Sequence, residues 1–166
     1  WFTSPTPNDP MHSTWGADPQ VFPLEARRNM SAWMTPSIDT ERGLLIFGIG
    51  SSAPQQPELA GTDGQWPDRL YQGSTVALDY RTGELAWWAQ HHTDMWNNDS
   101  VFDRILVDVA VDPYDTDAPW LGRNPGLNAD VTRSLVVGSF SKDGIFYAYD
   151  RSDGEFVYAR ETAPQN

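Results

Sequence analysis

The sequence predicts an all-β chain, and three observations carry that expectation. Thirteen Gly and thirteen Pro among 166 residues suit many short elements joined by turns and oppose long helices. No window longer than a turn or two shows the i, i+3, i+4 apolar spacing of a surface helix, whereas short β-branched and aromatic runs recur along the chain. One hairpin pattern occurs twice. Val76-Ala77-Leu78-Asp79-Tyr80-Arg81-Thr82-Gly83-Glu84-Leu85-Ala86-Trp87 aligns with Tyr147-Ala148-Tyr149-Asp150-Arg151-Ser152-Asp153-Gly154-Glu155-Phe156-Val157-Tyr158 at an offset of 71 residues.

The elements follow in two sets. Residues 1–29, rich in Pro, Asn, Asp and Ser, read as an irregular connection. Four strands are expected at Met30–Asp39, Leu44–Gly50, Ser74–Asp79 and Glu84–Gln90, then four more at Arg104–Val111, Arg133–Ser139, Ile145–Asp150 and Glu155–Arg160. The Pro/Gly/Asp-rich gaps at about 51–73 and 112–132 read as surface excursions. In each repeated hairpin a strand ends at Asp, whose carboxylate can accept from the turn amides, and Gly supplies a positive φ before the next strand. A four-stranded antiparallel unit repeated at a fixed offset is the signature of β-propeller blades. The boundaries implied are an inter-blade loop at 1–29, a first blade at 30–90 and a second at 97–162, all within one propeller domain.

Composition narrows the function classes. A formal charge of −12, from 11 Lys+Arg against 23 Asp+Glu, opposes nucleic acid and anionic membrane as partners. With no cysteine, disulfides, thiolate metal sites and a Cys nucleophile are excluded. The longest apolar stretch, Leu44–Phe47, is stopped by Gly48 and spans no membrane. The start at Trp1-Phe2-Thr3 suggests a processed chain or a piece of a longer one. Gly48-x-Gly50 lacks the third Gly of a dinucleotide fingerprint, and no Gly-x-Ser-x-Gly elbow is present. His91 and His92 point to opposite faces if extended, so they read as polar residues at a strand end and not as a chelating pair.

The motif Ala77-x-Asp79-x-x-Thr82-Gly83-Glu84-x-x-Trp87 resembles the tryptophan-docking motif of quinoprotein alcohol dehydrogenases, eight-bladed propellers that hold pyrroloquinoline quinone (PQQ) and a metal ion. Four further collinear stretches are similar to that family: Trp1–Trp15; Gly43–Gly50 with Ala53-Pro54; Asp68 to Asp79; and Lys142–Tyr147 followed by Asp150-Arg151. About a quarter of such a ring is covered, so the resemblance implies that the remaining blades are partners.

The resemblance also implies roles. Ser31 and Trp33 match the family's Thr-x-Trp, where a hydroxyl reaches a cofactor carboxylate and an indole lies against the quinone. Lys142 would place a cation beside the quinone oxygens. Within Gln90-His91-His92-Thr93-Asp94-Met95-Trp96-Asn97-Asn98-Asp99, the position of the catalytic Asp is held by Asn97, an amide that cannot serve as a base. Asp99 stands where the lanthanide-using branch carries an extra ligand, and could coordinate a hard cation or act as substitute base. The candidate catalytic residues are therefore Asn97 and Asp99, with Ser51, at the family's metal-binding Asn, and Asp99 as ligands to Ca²⁺ or a lanthanide. The implied activity is oxidation of a small alcohol through PQQ, with electrons passed to a cytochrome c, in the periplasm or outside the cell. The alternative is a non-catalytic propeller scaffold that has lost the catalytic Asp.

Overall fold

The computed structural model describes residues 1–15, 30–52, 68–92, 98–112 and 120–164. Among these, nine strands form two antiparallel sheets. The first has the order β1-β2-β3-β4, with β1 at Ser37–Asp39, β2 at Leu44–Gly48, β3 at Ser74–Asp79 and β4 at Leu85–Gln90. The second has the order β5-β7-β8-β9-β6, with β5 at Ile105–Ala110, β6 at Trp120–Arg123, β7 at Thr132–Gly138, β8 at Ile145–Asp150 and β9 at Phe156–Glu161.

Both repeated hairpins form by the same local chemistry. The Asp79 carboxylate accepts from the amides of Arg81 and Thr82, and the Asp150 carboxylate accepts from the amide of Ser152. Gly83 (φ 73°) and Gly154 (φ 76°) close the turns, donating their N–H to the carbonyls of Asp79 and Asp150. Side chains other than Gly resist this left-handed conformation.

Three expectations need correction. The first strand was expected from Met30, yet pairing begins only at Ser37, because Pro36 has no N–H to give the ladder. The second excursion is not purely surface loop: its Trp120–Arg123 stretch returns to pair with β9, adding a fifth strand at the edge. There the Arg160 guanidinium covers the Trp120 ring at 3.9 Å and Tyr158 meets it edge-on. Finally, the end of the first excursion is core. Leu70 and Tyr71 are buried, Tyr71 packs against Trp1 and Trp88, and the Trp15 indole N–H donates to the Leu70 carbonyl at 2.6 Å.

The sheets pack face to face through Leu44, Ile46, Ala77 and Trp87 on one side and Val136, Phe140, Tyr147, Tyr149 and Ala159 on the other. Trp87 anchors this layer. Its indole N–H donates to the Arg151 carbonyl at 2.9 Å, and its ring lies over Gly154, where a Cβ would come within 2.6 Å of it. The adjacent Trp88 points the other way and joins a separate cluster with Tyr71 and Val76. Arg151 reinforces the contact by pairing with Asp39 of the first sheet at 3.5 Å.

Replacing Trp87 with Ala is expected to destabilise the protein by roughly 3–5 kcal/mol, the cost of truncating a large buried ring. Chemical denaturation of the two forms measures this; a loss below about 1 kcal/mol would place the inter-sheet anchor elsewhere.

Candidate functional site at the junction of the two sheets

The site-forming residues come from both sheets. From the first come the segment leading into β1, with Ser31 and Trp33, and the end of β2, with Gly50 and Ser51. From the second come the segment leading into β5, with Asp99, and the β7–β8 turn, with Lys142. Glycine lets these segments approach. A Cβ on Gly50 would stand 2.5 Å from the Trp33 ring and 3.3 Å from Asp99 Oδ1, and one on Gly48 would overlap the Ser100 carbonyl and the Arg104 guanidinium. The Gly48-Ile49-Gly50 run is therefore a packing groove, and the chain 98–104 lies along it.

Asp99 is the hub. Its Oδ1 accepts from the Ser51 amide at 3.1 Å and from the Ser51 hydroxyl at 2.9 Å. Its Oδ2 accepts from Lys142 Nζ at 3.2 Å. Trp33 is 53% exposed and Lys142 is exposed too, whereas Ser51 is buried. Ser31 is exposed, and its carbonyl accepts the Gly50 N–H at 3.2 Å. The structure thus gathers Trp33, Ser51, Asp99 and Lys142 around Gly50, with Ser31 tied to it through the main chain. Asn97 lies outside the described residues.

The donor set can be weighed against a planar anionic quinone and a hard cation. A half-exposed indole backed by a glycine offers a flat apolar face, and the nearby Lys142 ammonium offers positive charge. These two features fit a quinone. Ser51 and Asp99 supply only oxygen, the donor type a hard cation takes. They are two side chains, and no group of three or more acidic or histidine side chains among the described residues could hold a metal.

Beneath the groove lies a polar layer that sequence reasoning missed. His91 and His92 are not simply polar residues at a strand end. His91 bonds to the Thr75 hydroxyl and the Tyr149 hydroxyl, both at 2.8 Å, with the rings of Phe140, Tyr147 and Tyr149 around it. His92 bonds to the Ser100 hydroxyl at 2.9 Å. Arg104, 4% exposed, stacks over Phe140 at 4.5 Å. Burial pushes its guanidinium down to about 9, which leaves it a cation at neutral pH.

Known proteins resemble this chain over its whole length. The family model for the glucose/ethanol/alcohol dehydrogenase β-propeller domain, PQQ, matches residues 1–165. The chain belongs to this PQQ β-propeller family. It is 27% identical over 176 residues to the quinohemoprotein alcohol dehydrogenase of Comamonas testosteroni, covering 100% of this chain and 22% of the relative. It is 34% identical over 120 residues to the 1-butanol dehydrogenase (cytochrome c) of Thauera butanivorans, covering 70% of this chain and 15% of that protein. The crystal structure of the Comamonas testosteroni enzyme superposes with a TM-score of 0.78 at 26% identity, over 100% of this chain and 23% of the other. A europium-containing methanol dehydrogenase shares the fold, with a TM-score of 0.66 at 22% identity over 83% of this chain and 20% of the other. The chain therefore spans about a fifth of the length of such relatives. Its two sheets are propeller blades, and the fifth strand β6 is an addition to the second.

The polar layer sets a pH dependence. Desolvation, then the charges of Arg104 and His92, hold His91 well below its ordinary value. The unfolded chain takes up that proton more readily, so the stability contributed by neutral His91 is complete above about pH 6.5 and falls as pH drops below it. Thermal melting is expected to fall between pH 7.5 and 5.5, and the fall to shrink in His91→Asn. An unchanged slope in the variant would show that His91 titrates normally.

Proposed function

We propose that the chain forms two neighbouring blades, 30–90 and 97–162 with the loop 1–29, of an eight-bladed PQQ-dependent dehydrogenase acting on a small alcohol. The observation that carries this reading is the convergence of Trp33, Ser51, Asp99 and Lys142 from both sheets around Gly50. The other blades of the ring are the partners. Gly83 supports this, since its hairpin matches the one that receives Trp87 and no described residue lies within 4 Å of a Cβ there, which accords with another blade's indole docking on it.

In this reading Trp33 forms the floor under the flat ring of the cofactor and Ser31 donates to one of its carboxylates. Bound PQQ supplies an acceptor for the hydride leaving the alcohol carbon. Lys142 would hold a positive charge beside the quinone oxygens. Asp99 and Ser51 are the local oxygen ligands for Ca²⁺ or a lanthanide ion. Because Asn97 has no usable protonation equilibrium, Asp99 is the carboxylate left for either task, to hold the metal or to take the hydroxyl proton. A cytochrome c as electron acceptor accords with the name of the Thauera butanivorans relative, and the location in this reading is the periplasm or outside the cell. No described helix is long and apolar enough to cross a membrane.

One observation favours a second reading, a propeller kept as a scaffold. Both Asp99 oxygens are engaged, Oδ1 by Ser51 and Oδ2 by Lys142, so the carboxylate that the described residues bring to the site is already satisfied.

The absorbance spectrum of the purified full-length protein separates the two, since bound quinone absorbs in the near ultraviolet. Trp33→Ala is expected to abolish PQQ retention, and Asn97→Ala to leave it intact. Retention unaltered in Trp33→Ala would remove the floor assignment; a native protein that binds no added PQQ would favour the scaffold.

A further inference from the structure

We propose that Arg104 is a positioning residue that clamps the Asp99-bearing segment into the Gly48–Gly50 groove and so sets where the Asp99 carboxylate stands. Arg104 Nη2 donates to the Ser100 carbonyl at 2.6 Å, and Nη1 donates to the Phe102 carbonyl. Its Nε donates to the Thr75 hydroxyl on β3 at 3.2 Å. Its own carbonyl accepts from the Ser37 hydroxyl on β1. A Cβ on Gly48, the last residue of β2, would overlap the Arg104 guanidinium. One residue therefore grips two carbonyls of its own segment, rests on the end of β2, and bonds through its side chain to β3 and through its main chain to β1.

The chemistry of the residue fits this use. Burying a cation is costly, and among the described residues no carboxylate lies within ion-pair distance of Arg104 to offset it. What it meets instead is a set of carbonyl and hydroxyl oxygens and the face of Phe140. A planar fork with five donors can serve carbonyls at two positions at once; an ammonium is a single point of attachment. The Ser100 carbonyl directly follows Asp99, so a shift there is passed straight to the carboxylate that holds Ser51 and Lys142.

The arrangement supplies a local reporter. The Ser51 N–H ends on Asp99 Oδ1, so its hydrogen exchange reads the placement of Asp99 without any cofactor present. In the full-length protein, Arg104→Met keeps much of the volume and removes every donor. The expected result is exchange at Ser51 faster by about tenfold or more, with the β3 and β8 amides unchanged. Arg104→Lys, which keeps the charge but not the fork, is expected to fall between the two forms. It also carries the test if the Met variant does not fold. Exchange at Ser51 equal to the parent in both variants, or protection lost evenly across both sheets, would overturn the clamp.

The consequence for cofactor rests on the function proposed above and is read separately, by titration with PQQ itself. Arg104→Met is expected to weaken PQQ binding by about tenfold or more, one carbonyl-bond pair's worth of placement. If the parent protein binds no PQQ, that function fails while the exchange measurement still decides the clamp.

Discussion

The contact on which the rest depends is the seat of Trp87 against the second sheet. Trp33, Gly50 and Ser51 belong to the first sheet, whereas Asp99 and Lys142 belong to the second, so the site exists only at one relative placement of the two. That placement is fixed where the Trp87 ring lies over Gly154 and its N–H meets the Arg151 carbonyl. The same turn brings the Arg151 guanidinium to Asp39, whose side chain is 2% exposed. A buried ion pair adds little net stability, because desolvating both charges cancels most of their attraction. Breaking it strands a charge, so it penalises other placements.

Close approach at the site is a matter of missing atoms. Two glycines in three residues let neighbouring segments lie against this end of β2, the Trp33 ring over Gly50 and polar groups over Gly48. This costs stability, since each carbonyl in the groove needs a donor. Arg104 supplies donors to the Ser100 and Phe102 carbonyls and to the Thr75 hydroxyl, which in turn bonds His91. The result is a polar layer against Gly48, next to the segment that carries Asp99.

The repeated hairpins were legible because their chemistry is local: Asp bonding turn amides and Gly at positive φ act within five residues. Strands β3 and β8 lie within those units, and the sequence placed them where they stand. The docking of Trp87 was legible through the likeness of its motif to the family's tryptophan-docking motif. What failed was long-range. Nothing near Trp120 shows that it will cross to β9, and nothing in residues 68–73 shows that Tyr71 will meet Trp1. The start of β1 was misjudged although its cause, Pro36, is in plain view. Trp33, Ser51, Asp99 and Lys142 were named from sequence only through a family likeness; their residue types alone are ordinary. Arg104 escaped because an isolated Arg before an apolar strand usually faces solvent, and only the fold shows it buried.

The central claim is that this two-sheet junction is a quinone seat. A crystal structure of the full-length protein with PQQ added tests it most directly. The account expects planar density against the exposed face of Trp33, with Lys142 Nζ within hydrogen-bond reach of a quinone oxygen. Well-ordered density at the junction showing no ligand, with Lys142 still paired to Asp99 at saturating PQQ, would contradict it.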